Sequence, residues 1–370
     1  MTLTRRKMIA LVGGGAITAV AGGAGAFAVT RRPDRALAPW DAAGTPTDPR
    51  ARALSFALLA PNPHNRQPWL ARLDGDDTVT LWRDPARDLP VTDPFGRQLT
   101  IGMGCFIELM EMAAAEGGFA VETTLFPEGE TADSPVARSR FLPGAGAPDP
   151  LFAHVMDRRS HKIGFDARPV PGRYARDFAP FADVVLPGPR AEALRRIAID
   201  AWHREAATDD AWQESVDLLR IGKAQINANP DGIDLGGPMM DSLHALGLLT
   251  REGAGDRNDP NVRAAIDETT QAIAGAPAFV VMTTQTNTRR DQIETGRRWM
   301  RLNLASTGAG LGLRPVSQAL QEYPEMAEIH ADIHAREAPG GGTVQMLGLL
   351  GYGPLTPRTP RWPLEAKLIG

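Results

Sequence analysis

Residues 58 to 69 read LLAPNPHNRQPW. Pro61, Pro63 and Pro68 fix three backbone angles within eight positions, so the apolar stretch Leu54 to Ala60, which has the look of a helix, has to stop there. Asn62, His64, Asn65, Arg66 and Gln67 fill the gaps between the prolines. An ordinary helix connection does not need so many side-chain hydrogen-bonding groups. The stretch therefore predicts a rigid, shaped crossing that delivers the chain to Trp69, where a strand starts and the indole anchors in the core.

On either side of this crossing the chain mixes helical and strand patterns without regular alternation. Residues 31–47, with Pro33, Pro39, Gly44 and Pro46, read as a linker, and folded structure is expected from Asp48, an N-cap ahead of Pro49. Apolar positions at helical spacing follow from Met103 (Phe106, Ile107, Met110, Ala113), then an alternating strand from Phe119 to Leu125. The Pro/Gly-rich residues 127–150 read as a junction between two halves, 48–150 and 151–370. Helical segments are expected near 151–160, 190–206 and 208–222, and buried strands at AFVVMTT and Val344 to Leu350. Asn227 to Gly253 has no clear period, and its Met and Leu content reads as a flap over a pocket or as irregular core. No repeat at solenoid periods is visible, and the expected fold class is α+β rather than a doubly wound sheet.

Composition narrows the chemistry. A formal charge of -4 on 370 residues gives no basic field, which argues against a nucleic-acid partner. Cys105, the single cysteine, excludes intramolecular disulfides and a thiolate cluster made by one chain, and its apolar context reads as a buried thiol. Residues 1–30 carry Arg5 and Arg6 ahead of a Gly/Ala-rich apolar segment, 8–29, and resemble a twin-arginine export signal. A membrane anchor is the other reading of that segment. Export through the twin-arginine translocation machinery implies a periplasmic or cell-envelope location.

Nucleophile elbows, Walker loops and zinc helices are absent from the sequence. His330 and His334 share a helix face but lack an evident third ligand, which favours a solvated face over a metal site. Four stretches suit a phosphorylated planar ligand. DRRSHKIGF places Arg158, Arg159, Ser160 and Lys162 together, GAGLGLRPVSQ ends a helix in glycines before an extended backbone, and PLTPRTPRWP carries Arg358 and Arg361. The opening loop is the fourth.

Together these stretches resemble the FMN-dependent nitroreductase family, and RDLPVTDPFGRQLTIGMGC, RRSHKIGF and LRPVSQALQEYPEM extend the likeness to its Acg-type branch. The resemblance covers most of residues 48 to 365 and implies a nitroreductase-like fold and an FMN cofactor. It implies that Arg158, Arg159, Ser160, Arg358 and Arg361 hold the phosphate and ribityl chain, and that Lys162 reaches the ring edge near N1 and O2. Pro61, Asn62, Pro63, Asn65 and Gln67 would cross from the first half to the flavin, with Pro315, Val316 and Ser317 along its N5 face. The family's paired serines are Asn62 and Pro63 here, and His64 reads as new chemistry or as a filler. In the family the arginine motif precedes the Pro/Asn/Gln loop and two identical subunits share two flavins; here the loop comes first and each motif occurs once. That order implies two fused, diverged subunits, one FMN per chain, and a monomer that mimics a family dimer. The implied function is two-electron transfer through flavin N5 to a quinone, nitroaromatic or similar acceptor from an unidentified donor; the alternative is a lid-covered FMN store with little turnover.

Overall fold

The computed structural model describes residues 32–144 and 146–370. The twin arginines and the apolar segment 8–29 lie outside the described residues. No helix among the described residues is long and apolar enough to cross a membrane.

The residues expected to be a linker hold a helix, α1 (Asp34–Ala42). Pro39 stands inside this helix, past its first turn, and withholds one N–H from the hydrogen-bond ladder. What the composition hid is the buried face, Ala36, Leu37 and Trp40, whose indole donates to Thr359 O at 2.8 Å. Next, α2 (Pro49–Ala57) starts as expected, with the Asp48 carboxylate accepting from Arg50 N and Ala51 N and Pro49 in the first turn.

After the proline loop, β1 (Trp69–Asp74) and β2 (Thr78–Arg83) form an antiparallel hairpin turned by Gly75 at φ 53°. The helix expected from Met103 begins earlier, as α3 (Arg97–Glu116), because the Asp93 carboxylate accepts from Gln98 N and Leu99 N at 3.0 and 2.8 Å. Strand β3 (Phe119–Leu125) is followed by β4 (Ala137–Pro143), a strand inside the stretch read as a junction, and the first sheet runs β1-β2-β4-β3.

The remaining chain contributes α4 (Arg173–Asp177), β5 (Asp183–Val185), α5 (Pro189–Ala207), α6 (Asp209–Asp217), β6 (Leu219–Ile221), α7 (Gly222–Ala228) and β7 (Ile233–Leu235). Then come α8 (Pro238–Ala245), α9 (Arg251–Gly255), α10 (Pro260–Ala274), β8 (Ala278–Thr284), α11 (Arg289–Gly308), β9 (Gly312–Pro315), α12 (Ala327–Glu337) and β10 (Thr343–Gly351). The second sheet is β5-β8-β10-β9, also antiparallel, and β6 pairs with β7 in a small parallel ribbon. The fold is α+β.

Helices α3 and α11 cross with their backbones in contact. A Cβ on Gly104 would stand 2.1 Å from Ile293 O, and one on Gly296 would stand 2.0 Å from Ile101 O. Cys105 Sγ donates to Gly296 O at 3.1 Å. One apolar core runs through both sheets, from Leu54 and Phe106 to Val280 and Leu350. The C-terminal segment returns to the first sheet: Ala71 N donates to Lys367 O at 2.8 Å and Ile369 N to Ala71 O at 2.9 Å, beside β1.

Candidate functional site

The proline loop is held by its own amides. Asn62 Oδ1 accepts from Gln67 N at 2.7 Å and its Nδ2 donates to Ala60 O at 3.2 Å. Between them His64, Asn65 and Gln67 take left-handed φ of 45°, 50° and 51°. Such a conformation costs an L-residue on the order of 1–2 kcal/mol, so external partners must impose it. Gln67, wholly buried, donates to Pro230 O at 2.6 Å and accepts from Trp362 N at 2.8 Å. Lys367 Nζ donates to Gln67 O at 2.8 Å. Asn65 Nδ2 donates to Pro360 O at 3.1 Å, and its Oδ1 accepts from Arg361.

These bonds turn Asn65 and Gln67 toward the C-terminal segment and leave Pro61, Asn62, Pro63 and His64 facing a cleft of about 180 Å³. Gln98, Ile101, Gly102 and Cys105 of α3, Trp299 of α11, Met346 of β10, and Ser160, Pro315, Ser317, Gln318 and Gln321 complete its lining. Gly102 lets the loop sit directly on α3, since a Cβ there would be 3.1 Å from Asn62 Cβ. No Asp, Glu, Lys or Arg is in the lining. Burial holds His64 below the usual imidazole value, and its Nδ1 has no partner. Burial likewise pushes the Cys105 thiol up to about 12, which removes it as a thiolate nucleophile.

Charge gathers beside the cleft instead. Arg158 and Arg361, both buried, converge on one carbonyl: Leu59 O accepts from Arg158 Nη2 at 2.7 Å and from Arg361 Nη2 at 3.1 Å. Arg361 Nη2 also donates to Ala60 O at 3.1 Å, and Arg158 Nη1 to Asn303 Oδ1 at 3.2 Å. Arg159 and Arg358 stack on Trp40, at 4.7 and 5.3 Å from its ring, and Arg358 pairs with Asp41 at 2.9 Å. Burial lowers Arg158 to about 10 and Arg361 to about 9, with Arg158 adding to the fall at Arg361. Arg158, Arg159 and Arg361 each keep a buried Nε without a partner. Among the described residues none of these three has a salt bridge. Cations brought together out of water with donors to spare are what an anion of several oxygens would satisfy.

The structure brings to the cleft Pro61, Asn62, Pro63, Ser160, Pro315 and Ser317 from the residues singled out in the sequence. Val316 lies beneath, with its N–H on Leu347 O at 3.0 Å. Lys162 is not among the residues that line the cleft, as the four arginines are not, and it pairs with Asp234 of β7 at 2.7 Å. The Asn227 to Gly253 segment is also absent from the lining; its Pro230 grips the loop from the other side. Sequence reading left His64 open between new chemistry and filler, and it did not single out Gln98, Trp299, Gln318 and Gln321, which with His64 line the cleft. Gln318 and Gln321 do stand in the LRPVSQALQEYPEM stretch and Gln98 in RDLPVTDPFGRQLTIGMGC, but only the fold shows which way a glutamine faces.

His330 and His334 stack at 4.1 Å between ring centres, and His334 Nδ1 shares a hydrogen with His330 O. No cluster of three or more metal-binding side chains occurs among the described residues.

No family model matches the chain. Over 342 residues, 84% of this chain and 91% of the other, it is 26% identical to a Mycobacterium tuberculosis H37Rv protein named "Putative NAD(P)H nitroreductase Rv3131". Another protein of that organism, whose name ends in acg in place of Rv3131, is 36% identical over 81 residues, 22% of this chain and 24% of the other. Among solved structures the FMN-dependent nitroreductase NfnB of Mycobacterium smegmatis, in complex with NADPH, aligns with 58% of this chain and 96% of its own, at 18% identity and a TM-score of 0.36. In sequence, then, the chain is similar over most of its length to proteins named as NAD(P)H nitroreductases.

Proposed function

We propose that this chain is an FMN-binding oxidoreductase of the nitroreductase type, with one flavin seated between the proline loop and the end of β9. The observation that carries the proposal is the pair of buried, unneutralised guanidiniums, Arg158 and Arg361, next to an uncharged cleft. The donor set fits the cofactor: Arg158, Arg159, Arg358 and Arg361 suit its phosphate, Ser160 its ribityl chain, and the Pro61–His64 and Pro315–Ser317 walls a neutral planar ring. Bound FMN supplies two-electron transfer at N5. The protein's part is to hold the phosphate on fixed cations, to keep the ring plane between two proline-stiffened walls, and to admit a neutral acceptor such as a quinone or nitroaromatic. Trp299 and Met346 give that acceptor an apolar floor, while Gln98 and the neutral His64 offer hydrogen bonds.

A reduced nicotinamide is the donor suggested by the relatives' names. Export on the Arg5–Arg6 signal would call for a different donor outside the cytoplasm. The second reading, FMN held with little turnover, has one observation in its favour: no cation lines the cleft to meet an anionic reduced ring.

Two measurements test the proposal. Purified protein titrated with FMN should quench flavin fluorescence at one site per chain, and Arg158→Met and Arg361→Met should each weaken retention at least about tenfold, one charged hydrogen bond's worth. A wild-type protein that leaves FMN fluorescence unchanged refutes the flavin reading. Mixing the loaded protein rapidly with NADPH separates the two functions, since bleaching of the flavin band within seconds marks an oxidoreductase and an oxidised flavin after minutes marks a store.

A further inference from the structure

Three of the four arginines beside the cleft are seated by α1, the helix found in the stretch that reads in the sequence as a linker. Arg159 and Arg358 share the indole of Trp40, at 4.7 and 5.3 Å from the ring. Arg361 N donates to Ala36 O at 2.8 Å. Trp40 is 1% exposed, and its Nε1 donates to Thr359 O at 2.8 Å, which pins the ring to the residue that follows Arg358. Arg159 is held a second time within its own turn, where Nη1 donates to Met156 O at 2.9 Å and to Arg158 O at 2.7 Å while Nε stays buried and unpartnered. Two like charges gathered on one ring repel each other, and only the indole's attraction for cations keeps them side by side. Asp41, next to Trp40, accepts from Arg358 Nη1 at 2.9 Å. The start of α1 is tied elsewhere, with Ala36 N donating to Asn227 Oδ1 of α7 at 3.0 Å.

We infer that α1 is the clasp of the anion cradle: Trp40 is the positioning residue that holds Arg159 and Arg358 together for a phosphate monoester, and Asp41 is a counter-charge with which that phosphate competes for Arg358. The inference rests on the flavin reading above. It makes the helix a determinant of affinity for the phosphate and not for the ring, since no residue of α1 lines the cleft. A phosphate on the cradle relieves the repulsion between the guanidiniums and so holds α1 down in turn, because coupling between two binding events is reciprocal. The stretch between the apolar segment 8–29 and the rest of the fold is thereby part of the binding site.

The test titrates the full chain, at low ionic strength, with FMN and with riboflavin, which lacks only the phosphate. The wild-type chain should bind FMN at least about a hundredfold more tightly than riboflavin. Trp40→Leu should cut that preference about tenfold, by weakening FMN and leaving riboflavin as it was. Asp41→Asn, at an exposed position, should raise the preference about twofold to threefold, and it decides the matter should Trp40→Leu fail to fold. A loss of general structure weakens both ligands alike. A preference equal to wild type in every variant that folds, or equal falls for the two ligands in Trp40→Leu, overturns this inference and leaves the flavin reading standing. A wild-type chain that binds FMN no better than riboflavin overturns the inference together with the phosphate assignment, and one that binds neither overturns the flavin reading as well.

Discussion

Gln67 shows how much a single side chain can organise. Its two amide ends and its carbonyl tie Pro230, Trp362 and Lys367 to one buried point. Gln67→Leu keeps the volume but leaves the Trp362 N–H without a partner and Pro230 C=O with only the long bond from Asn65 Nδ2, and should destabilise the chain by about 2–4 kcal/mol. Urea unfolding midpoints measure this, and a loss within the fitting error would mean that the amide is not a clamp. Glu205 makes a second prediction at this scale. Burial first, then Glu214, raise its carboxyl to about 7 from 4.5. Between those values the folded chain holds a proton that the unfolded chain has released, so stability falls as pH rises through that window, by up to about 3 kcal/mol. Glu205→Gln should flatten the fall between about pH 5 and about pH 8. An equal fall in variant and wild type would show that the carboxyl is not the group responsible.

Among the elements, the α3–α11 crossing sets the cleft, since it fixes Gly102 and Cys105 on one side and Trp299 on the other. Gly104→Ala should cost more than about 3 kcal/mol, because the added methyl meets backbone that cannot rotate away. Thermal unfolding reports it, and a variant as stable as wild type would show that the helices separate freely. Elements also mark where sequence reading succeeded and failed. The Asp48–Pro49 start of α2 and the apolar run of β8 are local signals, and both were legible. The start of α3 was not, because its cap comes from Asp93, several residues upstream, and α1 was hidden because its apolar face makes sense only against Thr359 and the returning tail. For the site, the proline loop and the arginine cluster were legible as chemistry. Lys162 pairs with Asp234, 72 residues away, and Gln318 and Gln321 reach the cleft wall only through the fold that sets their loop against α3 and α11.

Taken as a whole, the largest apolar cluster of the molecule runs through both sheets, and the cleft is lined by the proline loop and α3 from the first part of the chain and by α11, β9 and β10 from the second. Ligand seated there should stabilise everything together. At a free FMN concentration of about 100 times its dissociation constant, stability should rise by about 2.7 kcal/mol in a single unfolding transition. Two separated transitions, with only one moved by FMN, would show that the sheets unfold independently.

The return of the C-terminal segment also imposes an order in time. Leu59 and its partner Arg361 are 302 positions apart in the chain, and Lys367 caps Gln67 from 300 positions away. A ribosome makes the proline loop about 300 residues before the groups that pin it. The strained loop therefore waits, unpinned, while the intervening chain is synthesised, and a truncation that removes Arg361 and Lys367 should leave the first sheet's strands in place but the loop without the contacts that hold Leu59 and Gln67.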